Sequence, residues 1–157
     1  MRVLFLIAIL FTTENCIAQR KEDIQFLYQS KHYMNSEIIG YSIYDSKSNL
    51  YTVYENLPSS KIDKKVKIPL HKNELDSLHE LYKSIDLAEK KMCIYDNYGR
   101  LSGEITITFD KKYNNDTLKC FNEEDKEKPL LVISQFLKFL KSKKEYKEAF
   151  NHEFLVK

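Results

Sequence analysis

The sequence predicts an α+β domain in which an antiparallel sheet of about five to six strands carries two amphipathic helices on one face. Three observations support this prediction. Alternating apolar and polar residues mark several short strands, apolar residues at helical spacing mark two longer segments, and runs of turn-forming residues separate them. With 43% hydrophobic and 31% charged residues, the 157-residue chain has enough apolar side chains for one packed domain.

Residues 1–18 are predicted to be a cleaved signal peptide. A positive charge precedes an unbroken apolar run over residues 3–11, and the small Cys16 and Ala18 suit cleavage after residue 18. The run is about half the length that a membrane-spanning helix needs, although an uncut N-terminal anchor is the alternative. We therefore expect residues 19–157 to form a single domain in the periplasm or the medium, with no transmembrane segment after cleavage.

The first half predicts a hairpin and a further strand. Residues 38–44 and 50–55 alternate in polarity and flank the turn residues 45–49, which is the pattern of two paired strands. A short third strand is predicted around residues 66–68. The preceding segment, residues 19–36, fits either a short helix or a leading strand.

A helix is predicted after the third strand. Glu74 follows His71 by three residues, which is the spacing of a capping box at a helix N-terminus. Five apolar residues then fall on one face at helical spacing. They are Leu75, Leu78, Leu81, Tyr82 and Ile85.

The second half predicts the same order of elements. Strands are predicted at residues 92–95, 104–109 and 117–121, with a turn at 96–99. A long helix is predicted from Pro129, since proline suits the first helical position. Its expected apolar face contains Leu130, Ile133, Phe136, Leu137 and Leu140. A short terminal helix is expected from Glu145 to Phe150.

The repeated order suggests a βββα-βββα pseudo-repeat. Ile-Tyr-Asp ends a strand at residues 43–45 and again at residues 94–96. An ancient duplication would explain the match, and so would the coincidence of a common supersecondary pattern.

Cys93 and Cys120 are the candidates for a disulfide, because an exported protein meets an oxidising environment. Both cysteines are expected on strands that flank residues 104–109. In a simple meander they would then lie two strand spacings apart, about 9–10 Å, whereas a disulfide needs Cα atoms within about 7 Å. Either the strand order is not a meander or the thiols are free.

The face of the sheet opposite the helices is the predicted binding surface. The chain has eleven Tyr, nine Phe and no Trp, and tyrosine is common at protein interfaces. Ordinary strand packing is the alternative explanation, because tyrosine also favours strands. If the alternate apolar residues of each strand face the helices, as predicted, this open face carries Ser42, Tyr44, Thr52, Tyr54, Thr106 and Thr108. The candidate binding residues, on this face or at hairpin turns, are Tyr44, Tyr54, Tyr95, Tyr98, Thr106 and Thr108.

The sequence predicts no catalytic residue, no metal site and no cofactor. It contains no His-Glu-x-x-His, no Cys-x-x-Cys and no Gly-x-Ser-x-Gly motif. A net charge of +2 gives no electrostatic argument for a nucleic-acid partner. We expect a non-catalytic binding module for a protein or envelope ligand, with a periplasmic inhibitor or immunity protein as the specific hypothesis. The alternatives are an envelope hydrolase or isomerase whose site forms only on folding, and a structural envelope component.

Overall fold

The computed structural model describes residues 25–85, 90–109, 118–122, 125 and 127–150, and the predicted signal peptide lies outside these ranges. The described residues form seven strands in one open sheet and three helices, which confirms the α+β class. In chain order the elements are β1 (Phe26–Met34), β2 (Glu37–Asp45), β3 (Leu50–Leu57), β4 (Ser60–Lys67), α1 (Lys72–Ile85), β5 (Lys90–Tyr95), β6 (Leu101–Phe109), β7 (Lys119–Cys120), α2 (Glu127–Ser142) and α3 (Lys144–Phe150).

The strand order is β4-β3-β2-β1-β6-β5-β7. The first four strands form an antiparallel meander, β1 also pairs with β6, and β7 pairs with β5 in parallel. The predicted hairpin is therefore β2–β3. Residues 19–36, for which the sequence fitted either a helix or a strand, contain the strand β1. The two halves arrange their strands differently, so the strand order gives no support to the predicted pseudo-repeat.

Helix α2 packs on the side of the sheet that carries the aromatic residues of β1 and β2. The Phe136 ring lies 5.1 Å from Phe26, 4.7 Å from Tyr28 and 5.3 Å from Tyr44, measured between centroids. Tyr28 and Tyr44 are partners across the β1–β2 ladder, so their side chains share one face. Phe136 is fully buried and stands at the centre of the core.

The other two helices pack on this same face, as the sequence predicts for its two long helices. In α1, the Tyr82 ring lies 5.0 Å from Phe109, which is paired with Phe26 across the β1–β6 ladder. In α3, the Phe150 ring lies 5.8 Å from Tyr51, which is paired with Tyr44 across the β2–β3 ladder. We call this the helix face and the opposite side the open face.

Tyr44 and Ser42 lie on the helix face, so their predicted placement on the open face is wrong. Tyr44 is 0% exposed, and its hydroxyl donates a hydrogen bond of 3.0 Å to the carbonyl of Ile68. The error arose because β2 carries large apolar residues on both sides, so alternation alone did not fix its phase. The pairing of Tyr44 with Tyr28 fixes it instead.

Both long helices begin close to their predicted starts. The backbone N–H of His71 donates to the Glu74 carboxylate at 2.7 Å, which is half of the predicted capping box. Helix α2 starts two residues before Pro129, and its buried residues include Val132 in place of the predicted Leu130, which is 45% exposed.

The short terminal helix is confirmed as α3. None of the described helices is long and apolar enough to cross a membrane.

Candidate functional site

Three hairpin turns meet at one end of the sheet, because β1–β2, β3–β4 and β5–β6 are antiparallel pairs joined in register. The β1–β2 turn consists of Asn35 and Ser36, whose φ angles are 52° and 68°. Positive φ at both central residues is the geometry of the tight type I′ hairpin turn. The helices contact rows of the sheet nearer to the opposite end, at Phe26, Phe109 and Tyr51.

The β5–β6 turn is held rigidly by Asp96. One carboxylate oxygen accepts hydrogen bonds of 2.9 Å from the backbone N–H groups of Tyr98 and Arg100, and the other accepts 2.8 Å from Arg100 Nε. The Arg100 backbone, with smaller contributions from its side chain and from Tyr98, lowers the pKa of Asp96. Gly99 supplies the positive φ of 75° that the turn requires. The Tyr98 side chain is 84% exposed and is presented to solvent on this ordered turn.

Exposed apolar side chains concentrate at this end of the sheet. Of the eight large hydrophobic residues that are exposed in the described part of the chain, six lie in or beside the β1–β2 and β5–β6 turns. The two hairpins are neighbours because β1 pairs with β6. We call these six residues the hairpin-tip surface: Met34, Ile38, Ile94, Tyr95, Tyr98 and Leu101.

The predicted binding residues separate into three groups in the structure. Tyr95 and Tyr98 belong to the hairpin-tip surface, at 51% and 84% exposure. Tyr54 lies on the open face and stacks on Tyr41 with ring centroids 5.2 Å apart. Thr106 and Thr108 also lie on the open face, as predicted, but are only 5% and 4% exposed, and Tyr44 is in the core.

Sequence reasoning missed the aliphatic members of the hairpin-tip surface. Met34, Ile38 and Leu101 each stand within a few residues of a turn, where the alternation of apolar and polar residues breaks down. An apolar residue next to a tight turn, outside the alternating pattern, was the available indication of exposure.

A buried carboxylate joins three strands of the open face. Glu104 on β6 forms ion pairs with Lys31 on β1 at 3.0 Å and with Lys91 on β5 at 2.7 Å. Burial acts to raise the pKa of Glu104, but hydrogen bonds from Lys91, Lys31 and Tyr33 outweigh it, and the pKa lies below its usual value. A carboxylate held charged between two cations stabilises the sheet and is poorly suited to exchange protons.

Cys93 and Cys120 form a disulfide with Cα atoms 5.5 Å apart. The geometric objection raised from the sequence is resolved by the strand order, since β7 lies beside β5 and not beyond β6. The Tyr95 hydroxyl lies 3.7 Å from Cys120 Sγ, next to the hairpin-tip surface. A bonded pair is consistent with an oxidising compartment.

The described side chains include no group of three among His, Cys, Asp and Glu that could hold a metal ion. Comparison of the chain with protein-family models and with curated protein sequences finds no match. The candidate site consists of the exposed apolar and tyrosine side chains on the two adjacent hairpins.

Proposed function

We propose that this chain is a non-catalytic binding module that contacts another protein through its hairpin-tip surface. The observation that carries the proposal is the concentration there of six of the eight exposed large hydrophobic residues in the described ranges. Exposed apolar side chains that concentrate at one end of a folded domain mark a candidate interaction site. Tyr95 and Tyr98 add the large amphipathic rings that are enriched in protein interfaces.

The rigidity of the turns supports this proposal. Asp96 fixes the β5–β6 turn through three hydrogen bonds, so the backbone that carries Tyr98 is ordered before any partner arrives. A preformed surface loses less conformational entropy on association than a flexible loop does. Inhibitor and immunity proteins act by occupying a partner with such a preformed surface, and we propose this class for the chain.

We further propose that the protein acts in the periplasm or outside the cell, on another exported protein. The Cys93–Cys120 disulfide and the predicted leader support this location. Cell fractionation followed by intact-mass analysis tests it. We expect an oxidised chain that begins at Gln19 in the periplasm or the medium, whereas a cytosolic chain that retains Met1 would contradict the proposal.

Site-specific photo-crosslinking tests the interface. A photoreactive phenylalanine analogue replaces Tyr98, and in a second strain it replaces Lys144, whose side chain is 83% exposed on α3. We expect a discrete crosslinked protein from position 98 and none from position 144.

A matched pair of substitutions shows whether the crosslink depends on the proposed surface. Leu101 is 39% exposed in the hairpin-tip surface, and Leu131 is 55% exposed on α2. We expect Leu101→Ser to remove most of the crosslink and Leu131→Ser to leave it unchanged, while thermal melts confirm that both variants fold. No crosslink from position 98, or a crosslink that Leu101→Ser and Leu131→Ser weaken equally, would contradict the proposed interface.

A further inference from the structure

The strand β4 forms one edge of the sheet along its whole length. In the described part of the chain it pairs only with β3, and this pairing runs without a bulge over all of Ser60–Lys67. The opposite edge is the two-residue strand β7, which the Cys93–Cys120 disulfide ties to β5. An edge strand directs half of its backbone N–H and C=O groups away from the sheet. The strand β4 is therefore the long edge at which another strand can add to this sheet.

The register decides which backbone groups of β4 point away from β3. The N–H of Ile68 donates a 2.7 Å hydrogen bond to the carbonyl of Asn49, which lies opposite it when the β3–β4 register is continued by one pair. Hydrogen-bonded and non-hydrogen-bonded pairs alternate along an antiparallel ladder. Ile62, Lys64 and Val66 therefore bond to β3, and the residues between them direct their N–H and C=O groups outward. We call these the outward residues of β4: Lys61, Asp63, Lys65 and Lys67.

The outward residues are also the exposed ones. Exposure alternates along β4, so that each outward residue is exposed while Ile62, Lys64 and Val66 are half-buried. Lys64 reaches to the helix face, where its Nζ donates 2.8 Å to the carbonyl of Ala149 on α3. The exposed side chains lie on the open face, since Asp63 is paired with Tyr54. A strand added at this edge therefore meets residues that are open to solvent.

The edge is positively charged. The strand β4 holds four lysines and one aspartate, a net charge of +3 in a chain whose net charge is +2. None of the ion pairs among the described residues involves Lys61, Lys65 or Lys67. Lysines on an edge strand guard it against indiscriminate pairing, but this protection repels basic strands and leaves acidic ones free to add. A second copy of β4, aligned antiparallel over the full strand, would place Lys61 opposite Lys67 at both ends, so like charges disfavour self-association.

We propose that β4 binds an extended acidic segment of another protein as an added strand of the sheet. The backbone of this segment pairs with the outward N–H and C=O groups of β4, and its carboxylates lie opposite Lys61, Lys65 and Lys67 on the open face. A basic or neutral residue lies opposite Asp63. The main-chain hydrogen bonds supply affinity, while the charged cross-strand pairs set the register and select the partner. These residues lie outside the hairpin-tip surface, so the inference goes beyond the proposed function and does not depend on it.

Amide hydrogen exchange, followed in ¹H–¹⁵N NMR spectra, tests the pairing. The probe is the synthetic peptide Glu-Val-Glu-Val-Lys-Val-Glu, whose charges complement the outward residues in an antiparallel alignment, and its control is the same peptide with Glu and Lys exchanged. At a concentration ten times its Kd, the acidic peptide should slow exchange of the outward amides about tenfold, because exchange then proceeds only from the free protein. We expect little change at Ile62, Lys64 and Val66, which already bond to β3, and no slowing with the control peptide.

A charge-removing variant tests the contribution of the lysines. Lys65→Gln removes one paired charge, and Lys83→Gln on α1, whose side chain is 58% exposed, is the matched control. We expect Lys65→Gln to weaken the acidic peptide about two- to fivefold, as loss of one exposed ion pair does, and Lys83→Gln to have no effect.

Several results would overturn the proposal. Failure of the acidic peptide to bind, equal slowing by both peptides, or no change in Lys65→Gln would show that the lysines serve only to guard the edge. Slowing of the outward amides that grows with protein concentration, without any peptide, would assign the edge to a second copy. Leu101→Ser lies outside β4 and should leave peptide binding unchanged, so a failure of the acidic peptide leaves the proposed hairpin-tip interface standing.

Discussion

The substitution Tyr44→Phe tests the register of the sheet, because it removes one buried hydroxyl and leaves the ring in place. That hydroxyl donates to the Ile68 carbonyl at 3.0 Å, and the ring packs 5.3 Å from Phe136. If Tyr44 lay on the open face, as its sequence pattern suggests, removing the hydroxyl would cost almost nothing. In the structure the change leaves a buried carbonyl without its donor.

The loss of unfolding free energy in Tyr44→Phe follows from this geometry and depends on pH. Loss of the hydrogen bond should lower the free energy of unfolding by about 1–2 kcal/mol near neutral pH. Burial raises the pKa of Tyr44 to about 12. A phenol that holds its proton more tightly in the folded state stabilises the protein fully below pH 10, and this stabilisation is lost as pH rises from 10 to 12. The wild type should therefore lose about 1.4 kcal/mol by pH 11 through Tyr44 alone, a loss that the phenylalanine variant does not share.

Urea unfolding of the wild type and Tyr44→Phe between pH 7 and pH 10.5 measures both effects. We expect the stability difference to be constant up to about pH 9 and then to shrink, extrapolating to zero near pH 11. Tyr54→Phe is the control, because its ring lies on the open face against Tyr41, and it should change stability by less than about 0.5 kcal/mol. A Tyr44→Phe variant as stable as the wild type, or a difference that does not vary with pH, would refute the assigned register.

Four further predictions concern stability. Burial also raises the pKa of Tyr51, so Tyr51→Phe should flatten the alkaline loss of stability above pH 10 in urea titrations, and an unchanged slope would contradict this. The lowered pKa of Glu104 adds stability above about pH 4.5, and this stability is lost as pH falls through the pKa of the folded state. Glu104→Gln should therefore lower the free energy of unfolding by about 1–3 kcal/mol at pH 7 and by less in acid. A loss that stays constant with pH would exclude this linkage. Reducing the Cys93–Cys120 bond, whose ends are 27 residues apart, should cost about 2–4 kcal/mol in calorimetry with and without a dithiol, and equal melting temperatures would argue against the bond. Ser36→Gly should raise stability by up to about 1 kcal/mol, because Ser36 has a φ of 68° in the β1–β2 turn, and a destabilised variant would argue against that turn.

The fold class was predictable because helices and most strands carry their own periodic patterns. The β2–β3 hairpin, the capping interaction at His71 and the inward side of β6 all follow from local sequence. Which side of β2 faces the helices did not follow from local sequence. Both of its sides are apolar, and only the pairing with β1 decides between them. The number of strands was underestimated because residues 19–36, which contain β1, fitted either a helix or a strand. The strand β4 was predicted too short because it alternates lysine with few apolar residues.

The disulfide and the hairpin-tip surface depend on contacts that are distant in sequence. The parallel pairing of β7 with β5 brings Cys120 to Cys93, and no local pattern specifies a two-residue strand. Likewise, Met34 and Leu101 reach the same end of the sheet only because β1 pairs with β6. Tyr95 and Tyr98 could be predicted as binding residues from their position at a turn. The aliphatic residues around them offered only a weaker indication, which was their place next to a turn and outside the alternating pattern.

The most direct test of the proposed interface is the affinity of the crosslinked partner, once purified, for two serine variants. Titration calorimetry compares Leu101→Ser in the hairpin-tip surface with Leu131→Ser on α2, since both remove an exposed leucine. We predict that Leu101→Ser weakens binding about tenfold or more, while Leu131→Ser changes it less than about twofold. Equal affinities for the two variants, or a larger loss with Leu131→Ser, would contradict binding through the hairpin tips.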